Sequence, residues 1–399
     1  MEPHDVIVVG GGVAGCAVAY ELAKRSVGVL LIDQDLPGRA TSASAGGLWP
    51  VGEAVGLGCG VIYHASQSNK PSGSAPTPLP DVFRDFLVQS NQLFPAIADE
   101  LADLTGANIE YAVGLGLIFV MYTPEDQAVV DSVARSLPDS AVLEILAPEE
   151  IGKIEPALTH ELVGGALLPE EHQVNPMMLA EAYKRGALRH GAQLRHDSRV
   201  TGIRRRGDRI LGVEIGDEFL PAETTVNAAG AWAGELAATA DIPLPIFPVR
   251  GQVVLTETLP AELNTCLSTS DCYLLQKLHG EVLIGSTTER VGFSVAVTED
   301  AVRSLCRGAI RAVPLLRDVH VKRIWAGLRP GTPDELPILG PVPGVRGLVN
   351  ATGGFRTGIV AAPLLARIVA QYVVEEALEF SMEPFLAARF DKDVAESSK

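Results

Sequence analysis

The sequence is short of positive charge. It has 32 Lys and Arg against 49 Asp and Glu, for a formal net charge of −17. That deficit speaks against a nucleic-acid partner, because no broad basic surface remains to neutralise phosphates. The one basic cluster, Arg204, Arg205, Arg206 and Arg209, lies in VTGIRRRGDRILGVEI. Two apolar-alternating arms flank its Gly-Asp step, so it reads as a solvated hairpin tip. Cysteines are few as well. Cys16, Cys59, Cys266, Cys272 and Cys306 are odd in number and lack CxxC spacing. They read as reduced thiols rather than as a disulfide framework. No HExxH run and no Cys/His cluster suggests a metal site. The opening MEPHDVIVVGGG is acidic, and its apolar run stops at three glycines, unlike a signal peptide. The most apolar late stretch, 358–374, carries Pro363, Arg367 and Gln371 and is too short and too polar to span a bilayer. Together these absences predict a cytoplasmic protein with no transmembrane segment.

What is present is a core-forming composition. Of 399 residues, 47% are hydrophobic and 20% charged, enough for two domains or one large domain with a second layer. The chain opens as a β-α-β unit. Residues 5–9 form an apolar strand, Gly10 to Gly12 turn it, 13–25 form a small-residue helix, and 27–32 form a second buried strand. Such a unit implies a parallel sheet covered by helices. Two later segments, TTVNAAG (224–230) and GLVNATGG (347–354), are also apolar strands that end in small residues. Three such ends suggest three returns to one crevice, where open α/β sheets bind ligands. Residues 66–80 read as a Ser/Pro/Gly-rich surface loop. Asp81 is expected to cap an amphipathic helix whose stripe runs from Val82 through Phe86 and Leu93 to Leu104. Short alternating strands at 111–167 and 246–325 suggest an antiparallel sheet.

Four segments carry chemistry. Gly10-x-Gly12-x-x-Gly15 follows a strand, opens a helix, and is followed by Asp33 at the end of the second strand. The first glycine permits the tight turn, the second lets a pyrophosphate approach the backbone, and the third lets helix and strand pack closely. Asp33 is placed to accept hydrogen bonds from an adenosine ribose. This fingerprint does not decide between NAD and FAD. RATSASAGGL (39–48) offers hydroxyls and tiny side chains, so that backbone amides lie against a flat ring or a phosphate; on composition it also reads as a flexible linker. Residues 351–359, ATGGFRTGI, aim a glycine-rich strand end into a helix N-terminus, a positive pole suited to a reduced flavin; standing alone the segment also reads as an ordinary strand-loop-helix connection. In WAGLRPGTPDELP (325–337), Arg329 presents a guanidinium fork suited to a carboxylate. On its residues alone it reads equally well as a surface arginine in a Pro-rich turn. Tyr273 in TSDCYLLQ could offer its phenol to the same carboxylate, although alone it is more simply a half-buried strand tyrosine.

Taken in combination, DVIVVGGGVAG, RATSASAGGLW, QVNP, VNAAGAWA, DCYLLQ, WAGLRPGTPDELPILG and GGFRTGI resemble the D-amino-acid oxidase and glycine oxidase family of flavoproteins, nearly end to end. Within that family the runs GEAVGLGCGVIY, LSTSDCYLLQK and GSTTE most resemble the branch of bacterial hydrogen cyanide synthase C subunits. The resemblance implies an α/β fold: a discontinuous Rossmann-like FAD-binding domain over 1–110, 168–245 and 326–399, with an inserted antiparallel-sheet substrate domain over 111–167 and 246–325. It implies Gly10, Gly12, Val13, Ala14 and Gly15 at the pyrophosphate and Asp33 and Gln34 at the ribose. Ala40, Thr41, Ala45, Gly46 and Gly47 fall at the flavin, Val200 at the adenine, and Gly230 at the cofactor crevice. Gly354, Phe355, Arg356, Thr357, Gly358, Ile359 and Val360 wrap the ring and its ribityl chain. Arg329 and Tyr273 hold the substrate carboxylate, with Arg356 beside them. Relatives often carry His where this chain has Gly354, which removes any role of that side chain. No cysteine lies in 325–335, the segment where some relatives attach flavin, so noncovalent FAD is expected. The implied activity is hydride removal from the carbon next to the amine of a small amino acid, glycine first among them. Electrons leave to oxygen, or to a quinone or partner subunits, which would supply any membrane association. A flavin-holding subunit without its own substrate is the alternative of another class.

Overall fold

The computed structural model describes residues 3–58, 78–114, 116–138 and 141–390. Cys59 and all but the last three positions of the expected 66–80 loop lie outside the described residues. Strand β1 (His4–Val9), helix α1 (Val13–Lys24) and strand β2 (Val29–Ile32) realise the opening unit, with bounds within two residues of those expected. Short elements α2 (Ala40–Ala43), β3 (Gly47–Leu48) and α3 (Pro50–Ala54) follow, then α4 (Asp81–Asn91) and α5 (Phe94–Thr105). A first pass through the second sheet supplies β4 (Leu117–Met121), α6 (Pro124–Ser136), β5 (Glu144–Leu146), α7 (Pro148–Ile154) and β6 (Gly164–Leu168). The chain returns through β7 (His172–Gln173), α8 (Pro176–Arg189), β8 (Gln193–Arg195), β9 (Gly202–Arg206), β10 (Arg209–Ile215), β11 (Glu218–Asn227) and α9 (Ala233–Ala238). A second pass gives β12 (Phe247–Thr258), β13 (Cys266–Ser268), β14 (Tyr273–Gln276), β15 (Glu281–Gly285), α10 (Glu299–Ala312) and β16 (Val321–Gly331). Strands β17 (Ile338–Val342) and β18 (Val345–Thr352) and helix α11 (Gly358–Val373) complete the fold.

The first sheet has a parallel spine, β18-β11-β1-β2-β8. The β9–β10 hairpin and β17 attach on the β18 side, and the basic cluster lies on that hairpin. Alternation along β1 explains its unbroken apolar run. Val6 and Val8 pack under α1, α8 and α11, while Ile7 and Val9 face a second core with Ile203, Ile210, Val213 and α9. A strand covered on both faces has no polar side to show. The ends of β1, β11 and β18 lie side by side, so the three small-residue ends open into one crevice.

The second sheet runs β16-β12-β15-β14-β13-β4-β6-β5. It departs from the expected antiparallel pattern at one pairing, because β13 and β4 are parallel. These strands come from the two separate passes of the chain, so no hairpin dictates their sense. Strand β16 runs unbroken through 325/326, where a boundary between domains was expected, and carries Arg329 on its far half. The stripe from Val82 to Leu104 also differs in detail. It divides into α4 and α5, with Pro95 in the first turn of α5, where its missing N–H costs nothing. Asp81 is the first helical residue rather than the cap, and its carboxylate pairs with Arg84 at 2.7 Å. Among the described residues no helix is long and apolar enough to cross a membrane.

Candidate functional site

A cavity of about 560 Å³ runs from the N-terminus of α1 to the near edge of the second sheet. Its first half is shaped by the three glycines. Gly10 holds φ at +111°, and a Cβ there would fall 2.3 Å from the Ala228 carbonyl oxygen. A Cβ on Gly15 would lie 1.8 Å from the Gly10 oxygen, so only glycine lets α1 sit this close to β1. Gly12 is different: its backbone is extended, φ −72°, and it lines the cavity. That leaves bare backbone at a helix N-terminus, the arrangement that receives a pyrophosphate. The Thr41 hydroxyl accepts the Val13 N–H at 3.0 Å and ties this turn to α2. Asp33 accepts the Gly11 N–H at 3.1 Å through one oxygen, and its other oxygen pairs with Arg39 at 2.6 Å. Arg39 also pairs with Asp35.

The cavity wall includes Gly10, Gly12, Val13, Ala14, Asp33, Gln34, Ala40, Thr41, Ala45, Gly46, Gly47, Val200, Gly230, Gly354, Phe355, Arg356, Gly358 and Ile359, together with Tyr273 and Arg329. Three expected residues stand off it. Gly15 lies in the helix–strand contact just described. The Thr357 side chain is turned inward, its hydroxyl donating to the Gly354 carbonyl at 3.1 Å. Val360 is 1% exposed, in the core beneath the sheet. The helical period of α11 accounts for this, since one face of its first turn meets the cavity and the opposite face meets the core.

At the other end, β14 and β16 bring Tyr273 and Arg329 together. The Tyr273 phenol lies over Gly285, where a Cβ would fall 2.3 Å from its oxygen. The ring meets Trp49 edge-on, 5.6 Å between centroids. Arg329 reaches the two residues just past the end of β15, donating to the Ser286 hydroxyl at 2.5 Å and to the Thr287 carbonyl at 3.2 Å. Both of those partners are neutral, and among the described residues no carboxylate pairs with Arg329. Arg356 is in another situation. Its buried guanidinium bonds Glu53 at 3.0 Å and also pairs with Glu335. It stands at the site already neutralised by two carboxylates, so its charge serves them first.

Sequence reasoning missed Arg39, Trp49, Glu53 and Lys277. The first three line the cavity. Trp49 follows the small-residue run directly, and a large aromatic there was the available signal. The Lys277 ammonium is buried behind that run, bonding the Ala45 carbonyl at 2.5 Å, the Gln173 amide oxygen at 3.1 Å and the Val174 carbonyl at 3.3 Å. Burial pushes it down to about 8. Glu171 accepts the Val51 and Gly52 N–H groups at the start of α3, and burial raises its carboxyl well above the usual range. No group of three His, Cys, Asp or Glu side chains arranged to hold a metal occurs among the described residues.

The fold and this wall match known proteins. The FAD dependent oxidoreductase (DAO) family model matches residues 5–372. Hydrogen cyanide synthase subunit HcnC of Pseudomonas protegens is 45% identical over 405 residues, covering 98% of this chain and 97% of that one. Glycine oxidase of Geobacillus kaustophilus is 32% identical over 392 residues, covering 97% of each. The crystal structure of glycine oxidase from Geobacillus kaustophilus superposes with a TM-score of 0.86 at 30% identity, over 98% of this chain and 99% of that one. The cavity fits the cofactor this implies. Its bare glycine backbone at a helix N-terminus and the carboxylate of Asp33 suit the ADP half, and the small-residue strip 45–47 leaves room for a flat ring.

Proposed function

The chain belongs to the FAD dependent oxidoreductase (DAO) family, and from that premise we propose that it oxidises the Cα–N bond of glycine as the flavin-bearing subunit of a cyanide-forming dehydrogenase. It is an FAD-dependent oxidoreductase of amino-acid CH–NH2 donors. The pairing of Arg329 with Tyr273 on one cavity wall carries the finer reading. A guanidinium bound only to neutral acceptors, beside a phenol, is a receptor for a carboxylate. Bound FAD, held without a covalent link, supplies the hydride acceptor that the side chains lack. Arg329 and Tyr273 then fix the carboxylate, and through it the direction of the Cα–H bond. Orientation of this kind supplies much of the rate in a reaction that needs no dedicated protein base. Trp49 and Tyr273 narrow the cavity beside the carboxylate, which favours a substrate with no side chain.

Likeness to HcnC supports cyanide as the product, and likeness to glycine oxidase supports glycine as the substrate. Converting glycine to cyanide and carbon dioxide requires two successive two-electron oxidations. Electrons therefore have to leave the chain repeatedly, to partner subunits or a quinone. Likeness to glycine oxidase supports a second reading, in which a stand-alone oxidase passes electrons to oxygen and forms peroxide. Anaerobic mixing of the FAD-loaded protein with glycine, sarcosine, proline and D-alanine tests both. Glycine should bleach the flavin and, with an artificial electron acceptor, release cyanide. Arg329→Ala should abolish bleaching at the same glycine concentration while leaving the protein yellow. Bleaching by another amine but not by glycine would overturn the reading, and peroxide from the isolated chain in air would favour the oxidase.

A further inference from the structure

We propose that Lys277 is the positioning residue that locks the strip 45–47 to the strand bearing Tyr273, and that it places a positive charge behind the flavin. The inference rests on the reading that this strip faces the flavin ring.

The geometry is a closed polar lattice between the two sheets. Lys277 leaves the end of β14, four residues after Tyr273, and turns its ammonium away from its own hairpin. It donates to Ala45, Gln173 and Val174 at 2.5, 3.1 and 3.3 Å. Gln173 answers by donating its amide N–H to the Gln276 carbonyl at 2.9 Å. Val174 donates its N–H to the Gly46 carbonyl at 2.9 Å, and Gly47 pairs with Gln173 in the β3–β7 ladder. Every residue of the strip is thus tied to this lattice from behind, leaving its other side to the cavity. Space behind it is filled, since a Cβ on Gly46 would fall 2.0 Å from the Val174 oxygen.

The ammonium has no carboxylate salt bridge among the described residues. Its titratable neighbours are Glu110, itself paired with His279, and the Cys266 thiol, which burial pushes up to about 12. A positive charge held close to a flavin favours its reduced, anionic form. Removing the amine strands three buried acceptors together and lets the strip relax.

The test uses the FAD-loaded protein and three readouts that do not depend on turnover: FAD affinity after reconstitution, the midpoint potential, and its dependence on pH. Lys277→Met should weaken FAD binding by about tenfold and lower the potential. The wild-type potential, plotted against pH, should show an added break near 8, which Lys277→Met abolishes. Lys277→Arg keeps the charge but does not titrate in this range, so it should hold FAD and show no break. A break that persists in Lys277→Arg, or a potential and FAD affinity unchanged in Lys277→Met, would overturn the proposal. Wild-type protein that takes up FAD but is not reduced by any amino acid would sink the functional reading alone, because none of these measurements needs a substrate.

Discussion

The guanidinium of Arg329 lies over the bare α-carbon of Gly251. A Cβ at Gly251 would fall 2.3 Å from Nη1 and 2.5 Å from Cζ, so this glycine on β12 clears the space in which the Arg329 side chain lies. Gly251→Ala should leave the fold intact, because the obstructing atoms end a flexible side chain that can swing aside. The displaced fork then no longer lines up with Tyr273. We expect kcat/KM for glycine to fall by about 10²-fold, the scale of loss for a misplacement of about 1 Å, with FAD binding retained. Stopped-flow flavin reduction and the visible spectrum report the two effects separately.

The glycine fingerprint separates into two roles that mutation can distinguish. Gly15→Ala places a methyl 1.8 Å from a backbone oxygen that has nowhere to go, so it should yield little folded protein. Gly12→Ala meets only the Thr41 hydroxyl at 3.3 Å, in a backbone conformation any residue adopts. It should fold with an unfolding temperature close to that of wild-type apoprotein, yet bind FAD weakly, because its methyl enters the pyrophosphate's approach. Thermal unfolding without cofactor, set beside FAD titration, checks this. Equal losses in both measurements would refute the division of roles.

The tight turn at Gly10 and the close packing at Gly15 were legible in the sequence because they are local. The spacing of Gly10, Gly12 and Gly15 between an apolar strand and a small-residue helix constrains the backbone within a few residues. The ends of β11 and β18 were legible for the same reason. Long-range pairings were not. Arg356 meets Glu53 across 303 positions of sequence, and nothing near either residue announces the other. The parallel pairing of β4 with β13 likewise depends on where two passes of the chain dock. Lys277 is an ordinary lysine after a strand until Ala45 and Gln173 arrive beside it. Periodicity also smoothed over the break between α4 and α5, because the apolar stripe continues across it.

Arg356 gives a prediction opposite to the one its place in GGFRTGI invites. Its removal takes the shared cation from the buried carboxylate of Glu53 and the half-buried carboxylate of Glu335. Breaking a buried pair in this way costs about 3–5 kcal/mol. Arg356→Ala should therefore lose more in stability than in affinity for a carboxylate ligand bound at Arg329. Urea denaturation measures the first. Perturbation of the flavin spectrum by acetate measures the second. A variant of unchanged stability that no longer binds acetate would make Arg356 a carboxylate clamp after all.

Glu171 should make stability depend on pH in a definite sense. One of its oxygens accepts the Val51 and Gly52 N–H groups, while the other is buried with no hydrogen-bond partner among the described residues. Burial raises its carboxyl well above the ordinary 4.5, so the folded state keeps the proton. The unfolded chain releases that proton once the pH passes 4.5. Above that point the folded state binds more protons than the unfolded, and stability falls as pH rises, until the folded carboxyl itself ionises. The contribution is full below 4.5 and declines by at most ~1.4 kcal/mol per pH unit. Glu171→Gln keeps an acceptor for the two N–H groups and cannot ionise, so it removes this slope. Denaturation at pH 5, 6.5 and 8, as about three spaced points across that window, should show the two proteins closest in stability at the lowest pH and the variant gaining on the wild type as pH rises. Parallel curves would mean that the folded carboxyl ionises normally, and that the cap on α3 is a carboxylate.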